Sequence, residues 1–102
     1  GYDINHPDLP AGNHVTGSTG SAGEWNKDEH GHGTHCAGTI AAIGGNHIGV
    51  VGVVRSGAMK FHIVTVFNNG GNWAWGFDLL NAVRNLLFLF CYHVLQNDCL
   101  TA

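Results

Sequence analysis

Apolar positions along the chain gather into runs set apart by turn-forming sequence, and the spacing within each run predicts an element. From Thr34 to Ala42 the string Thr-His-Cys-Ala-Gly-Thr-Ile-Ala-Ala predicts a short buried helix whose small side chains allow very close packing. Gly31 and Gly33 are poor in a helix interior but suit a helix start, and Gly44-Gly45 suits its C-cap. The β-branched run Ile48 to Val54 predicts a strand. Met59 to Phe67 is nearly continuous in apolar residues and predicts a buried strand of parallel type. Helical spacing follows from Trp75 to Asn85, with Leu79, Val83 and Leu86 on one stripe and Leu80 and Leu87 beside it. Asp78 near its start and Arg84 near its end suit the helix dipole.

Two stretches carry no such period. Gly1 to Leu9 reads as a strand exit followed by a turn, with Pro7 fixing φ and Asp8 able to bond nearby backbone. Pro10 to Lys27 reads as a loop, because Gly17-Ser18-Thr19-Gly20-Ser21-Ala22-Gly23 has linker composition. None of its serines has a nucleophile context, and all read as solvated loop residues.

Composition narrows the class. A chain of 102 residues suffices for one small domain with a modest core. Its formal charge of −3 and 11% charged residues point away from a nucleic-acid partner. The longest apolar run, Leu86 to Leu95, is too short to span a bilayer, so no membrane partner is expected. Three cysteines (Cys36, Cys91 and Cys99) cannot all pair within the chain. No signal peptide opens the sequence and Gly1 is not a natural start, which reads as a fragment.

The chemistry concentrates at His30-Gly31-His32-Gly33-Thr34-His35. A histidine at a helix N-terminus meets the positive end of the helix dipole, which favours the neutral imidazole that a general base needs. Two other readings compete. His30, His32 and His35 form His-x-His-x-x-His, a spacing at which imidazoles can ligate zinc. A glycine-rich helix start with a core histidine is the plain structural reading.

The string His-Gly-Thr-His-Cys-Ala-Gly-Thr-Ile-Ala-Ala from His32 to Ala42 resembles the histidine motif of the subtilisin-like serine peptidases, or subtilases. The resemblance covers about residues 1–85. It implies an α/β fold, here an incomplete part of a doubly wound parallel β-sheet with flanking helices. It also implies a serine endopeptidase with a Ser-His-Asp triad, in which His32 is the catalytic base. Gly1 to Leu9 is similar to the stretch after the catalytic aspartate, Asp-(Ser/Thr)-Gly-x-Asp-x-x-His-Pro-Asp-Leu, which places that aspartate two positions before Gly1. Asp3 matches the second acidic position instead, and His6 reads as structural. Asp28 matches an acidic position ahead of the histidine motif and is expected to fix the loop by hydrogen bonds.

Further expectations follow from the family. Asp8, Asn46 and the carbonyls of Ile43, Ile48 and Val50 are candidate ligands of a structural calcium, an oxygen set suited to that ion. The alternative is an ordinary helix-to-strand turn. No organic cofactor is implied. Asn69, Gly70, Gly71, Asn72 and Trp73 are the candidate edge on which an extended polypeptide substrate pairs by β-augmentation, or else a surface loop with a packed Trp. Cys36, four residues after His32, is either a small buried hydrophobe or a thiol close to the base. Some subtilases with Cys at this place are sensitive to mercury reagents. Residues 86–102 form an apolar tail that does not match the family. The resemblance implies a secreted, monomeric parent enzyme. The chain alone holds only His32 of the triad and is expected to be inactive. The competing products are a non-catalytic pseudopeptidase or interaction module and a His-rich metal-binding protein.

Overall fold

A computed structural model of the chain describes residues 1–18, 23–66, 80, 83 and 84. Among them the elements run, in order, a 3-10 turn Gly12–His14, strand β1 Val15–Ser18, helix α1 His32–Ala41 and strand β2 Phe61–Val64. Leu80, Val83 and Arg84 are helical, inside the helix expected over 75–85, and all three side chains are exposed. The tail 86–102, with Cys91 and Cys99, lies outside the described residues, as does the expected substrate edge at 69–73.

The strands are parallel, in the register Val15↔Phe61, Thr16↔His62, Gly17↔Ile63 and Ser18↔Val64. A parallel pair needs a crossover, and α1 lies in the chain between the two strands. The chain is therefore α/β, as expected. Alternation divides the sheet into two faces. Val15 is buried in a core with Tyr2, Leu9, Ala37 and Ala42, against which Ile4, Trp25, Phe61 and Ile63 pack. Tyr2 anchors this core. Its ring lies 5.9 Å from that of Phe61, and its hydroxyl donates to the Pro10 carbonyl at 2.5 Å. Burial, with Asp3 adding a smaller effect, pushes the Tyr2 hydroxyl up to about 12.

Strand β1 corrects the reading of residues 10–27 as a loop. Gly17 gives the stretch its linker look, yet glycine is there because the Trp25 ring occupies the space that a Cβ would need. Ser18, read as a solvated loop residue, is half-buried on the strand.

Helix α1 starts two residues before the predicted Thr34 and ends at Ala41, ahead of Gly44-Gly45. Gly31 is its N-cap, with φ 84°, a left-handed conformation that favours glycine. Only Ala37 and Ala41 of the helix are buried, so the expectation of a buried helix holds for one face. Ile40 is 44% exposed.

The run Ile48 to Val54 is not a strand. Its last three amides go to the end of α1: Gly52 donates to the Ala42 carbonyl at 2.9 Å, Val53 to Thr39 at 3.2 Å and Val54 to Ile40 at 2.8 Å. Carbonyls in the last turn of a helix have no partner within it, and this segment supplies one. Gly52 has no alternative at that place, because a Cβ would strike the backbone nitrogens of Ala41 and Ala42. The side chains of Ile48, Val50, Val51 and Val53 are left outside, with Val53 86% exposed.

Candidate active site

His32 is the first residue of α1, and its side chain is exposed. Its position is set from outside the helix. The Asp28 carboxylate accepts from the Gly31 amide at 3.1 Å, the Thr34 amide at 2.8 Å and the Thr34 hydroxyl at 2.6 Å. Gly31 has no side chain to cap the helix, so Asp28 supplies the acceptor that an N-cap normally would. Its negative charge also suits the positive end of the dipole. Burial raises the Asp28 pKa, but the hydrogen bonds from Thr34 and Gly31 outweigh it and hold the carboxyl below its ordinary value. The loop-fixing role expected of Asp28 is thus what the geometry shows.

Thr34 carries the bracing one step further. Its hydroxyl oxygen accepts from the Asp3 amide at 2.9 Å, tying the N-terminal segment to the helix start. Gly33 is pressed against Gly1, whose carbonyl occupies the place of a Cβ. Asp3 itself turns back to accept from the Asn5 amide at 3.0 Å, and His6 Nδ1 accepts from the Asp8 amide at 3.2 Å. Both behave as turn-formers.

Cys36 stands one turn along from His32, with its Sγ 3.8 Å from His32 Nδ1. The thiol is exposed, which goes against the buried-hydrophobe reading and leaves it beside His32. His30 packs its ring against that of His32, with centroids 6.3 Å apart and planes tilted by 50°. His35 is exposed on the helix. Among the described residues, no three His, Cys, Asp or Glu side chains are placed to share a metal ion, so the zinc reading of His30, His32 and His35 has no geometric support.

The candidate calcium residues do converge. Asp8 is 1% exposed, yet its carboxyl is held below the ordinary value, first by the hydrogen bond from the Asn46 side chain and then by the Val50 amide. Asn46 Nδ2 donates to one carboxylate oxygen at 2.7 Å and the Val50 amide to the other at 2.9 Å. The Ile48 amide donates to Asn46 Oδ1 at 3.2 Å, and the Ile43 amide to the Asp8 carbonyl at 2.9 Å. These contacts of Ile43, Ile48 and Val50 with the Asp8–Asn46 pair run through their amides. Gly49, at φ 56°, brings the loop so close that a Cβ would strike the Asp8 carboxylate.

A groove of about 830 Å³ runs along α1 between Leu9, Asp28, Thr34, His35, Thr39 and Val53, and His32 does not line it. Three polar side chains to which the sequence assigned no role meet elsewhere. His62 bonds Ser18 and Thr16 on the sheet face away from the core. The signal was available in the alternation of Val15-Thr16-Gly17-Ser18 and in a lone histidine within an apolar strand.

A parallel strand pair joined through a helix that opens on an exposed, braced histidine defines an α/β protein with an imidazole at a helix start. The Subtilase family model matches residues 1–86, and the chain belongs to the subtilase family. It is 40% identical over 75 residues to a subtilisin-like protease of Coccidioides posadasii (strain C735), covering 74% of this chain and 16% of that protein. It is 42% identical over 77 residues to a subtilisin of Bacillus pumilus, covering 74% of this chain and 26% of that protein. An intracellular serine protease of Paenibacillus polymyxa is 43% identical over 76 residues, covering 71% of this chain and 22% of that protein. No solved structure gives a significant match. The chain thus spans between 16% and 26% of the length of these relatives. Among the described residues, no helix is long and apolar enough to cross a membrane.

Proposed function

We propose that the chain is the histidine-bearing part of a serine endopeptidase, with His32 as the general base of a Ser-His-Asp triad. The observation that carries this reading is His32 itself, exposed at the braced N-terminus of α1 within the family's motif. In such a triad the imidazole takes the serine proton during attack on the peptide carbonyl and returns it to the leaving amine. An aspartate holds the other ring nitrogen, and an oxyanion hole stabilises the tetrahedral intermediate. The bracing by Asp28 and Thr34 fixes where the imidazole starts. Residues 1–85 are then the N-terminal part of a peptidase domain built on a doubly wound parallel sheet. Residues 69–73 form the edge that binds an extended polypeptide, and 86–102 stand apart from the family pattern.

The 102-residue chain contains no Gly-Thr-Ser-Met-Ala string and should hydrolyse no peptide alone. The test begins with the transcript and gene across both ends. The reading expects Asp-(Ser/Thr) ahead of Gly1 and a Gly-Thr-Ser-Met-Ala string downstream. The encoded protein should cleave peptides, and His32→Ala should lower kcat by about a millionfold. A message without those motifs, or a His32→Ala variant of ordinary activity, overturns it.

Subtilases need no organic cofactor. A structural calcium at this loop is the family's expectation, supported by the buried Asp8 carboxylate beside Asn46; binding would require Asn46 to turn its oxygen to the ion and release the Ile48 amide. Asp8, Asn46 and the carbonyls of Ile43, Ile48 and Val50 would hold the ion and so fix the loop that terminates α1. Calcium should raise the melting temperature of the chain and leave that of Asp8→Asn unchanged. An equal response of both would dismiss the site. Secretion completes the reading. Relatives named as intracellular proteases share the match, so fractionation of source cells is the check.

A further inference from the structure

We propose that Ser18, His62 and Thr16 form a second nucleophilic centre, in which Ser18 is acylated by activated carboxylic esters with His62 as its base. The three residues lie on the face of the β1–β2 pair opposite the core. Thr16 and Ser18 are two apart on β1 and so share that face, and the register sets His62 beside Thr16. His62 Nδ1 lies 2.9 Å from Thr16 Oγ1, and Nε2 lies 2.9 Å from Ser18 Oγ.

A threonine hydroxyl has one proton, and the Thr16 hydroxyl donates it to the Phe61 carbonyl at 3.4 Å. In the tautomer that the proposal takes, Thr16 Oγ1 accepts from His62 Nδ1–H. Nε2 is left as an acceptor, and the Ser18 hydroxyl donates to it. This is the polarity of an activated nucleophile: serine to base, and base held by a third group. Thr16 is the positioning residue. All three stand on strands rather than loops, which limits their drift.

In the reaction Ser18 Oγ forms a bond to the ester carbonyl carbon while its proton passes to Nε2. The carbon–oxygen bond to the leaving group breaks, and the aryl oxide departs with the electron pair. Acyl-Ser18 remains, and the imidazolium releases its proton to solvent. Activated esters are the substrate class because an aryl oxide leaves without being protonated, so the step needs no general acid.

The test treats the 102-residue chain with 4-nitrophenyl acetate, follows 4-nitrophenolate release and maps the acetyl group by mass spectrometry. Acetyl-Ser18 is expected, formed about 100-fold more slowly in His62→Gln and not at all in Ser18→Ala. Concentrated urea should abolish the reaction at Ser18 in the unaltered chain, a control that no variant's misfolding can mimic. Nitrogen NMR at about pH 8.5, where an ordinary imidazole is neutral, should find the His62 proton on Nδ1. Thr16→Val should disturb that tautomer and slow acetylation, and Thr16→Ser should restore both. Acetylation confined to Lys27, Lys60 or the N-terminus overturns the proposal, as does a Ser18 rate unchanged by urea or a ring proton on Nε2.

Discussion

Asp28 Oδ2 takes both hydrogen bonds that Thr34 can donate, the amide at 2.8 Å and the hydroxyl at 2.6 Å. One carboxylate oxygen thus sets the backbone and the side chain of a residue two positions after His32. With Gly31 at φ 84° ahead of it, the helix start has no other side chain to cap it. Asp28→Ala should lower stability by about 2 kcal/mol, the scale of a lost cap with charge-assisted bonds. Urea unfolding checks the figure. A double-mutant cycle with Thr34→Val should show coupling, because the two side chains share a bond.

Acid should weaken the fold through two carboxylates. Asp8 and Asp28 are both held below their ordinary pKa, by the Asn46 and Val50 bonds at Asp8 and by the Thr34 and Gly31 bonds that outweigh burial at Asp28. A depressed pKa in the folded state contributes stability that is present above the unfolded value of 3.8 and is lost as pH falls through the folded one. The melting temperature should therefore hold from neutral pH down to the ordinary carboxylate range and fall below it. Asp8→Asn and Asp28→Asn should each flatten that fall, read by melting across the acid range.

Cys36 offers a reporter on His32. Its exposed thiol lies 3.8 Å from His32 Nδ1. A mercurial should modify Cys36 in the native chain and shift the His32 ring resonances. Cys36→Ser should remove the shift. Modification at Cys36 that leaves His32 unmoved would contradict the contact.

Gly49 is fixed by its neighbour as well as by its backbone. At φ 56° an alanine is strained by roughly 1–2 kcal/mol, and its Cβ would also strike the Asp8 carboxylate. Gly49→Ala should destabilise more than that strain alone. In Asp8→Ala, which clears the clash, the same substitution should cost less. Thermal melts of the four proteins measure the difference.

How much of this was legible depended on whether local sequence or distant partners decided each element. The string His32 to Ala42 announced its helix because small residues and a glycine-flanked start are local signals. Its first residues were misplaced because the capping acceptor, Asp28, lies outside the window where caps are sought. Ile48 to Val54 had strand propensity, but its last amides found carbonyls at the helix end and others found the Asp8 and Asn46 side chains, and β-propensity yields readily to such context. Val15 to Ser18 was hidden for the opposite reason: the Trp25 ring, not the sequence around Gly17, explains the glycine. The meeting of Asp8 with Asn46 was legible through the family resemblance, whereas that of Ser18 with His62 needed the strand register.

The segment that seals the end of α1 also sets the order in which the molecule should come apart. The bonds from Gly52, Val53 and Val54 close loops of roughly a dozen residues, whereas Thr16 and His62 of the sheet stand 46 residues apart. Short loops reform readily, whereas closing the longer loop between the strands costs more chain entropy. Amides of β1 and β2 should therefore exchange with deuterium through a partial opening that leaves α1 and its seal intact. His32 then rides on the more durable unit, and Ser18 and His62 on the one that parts first.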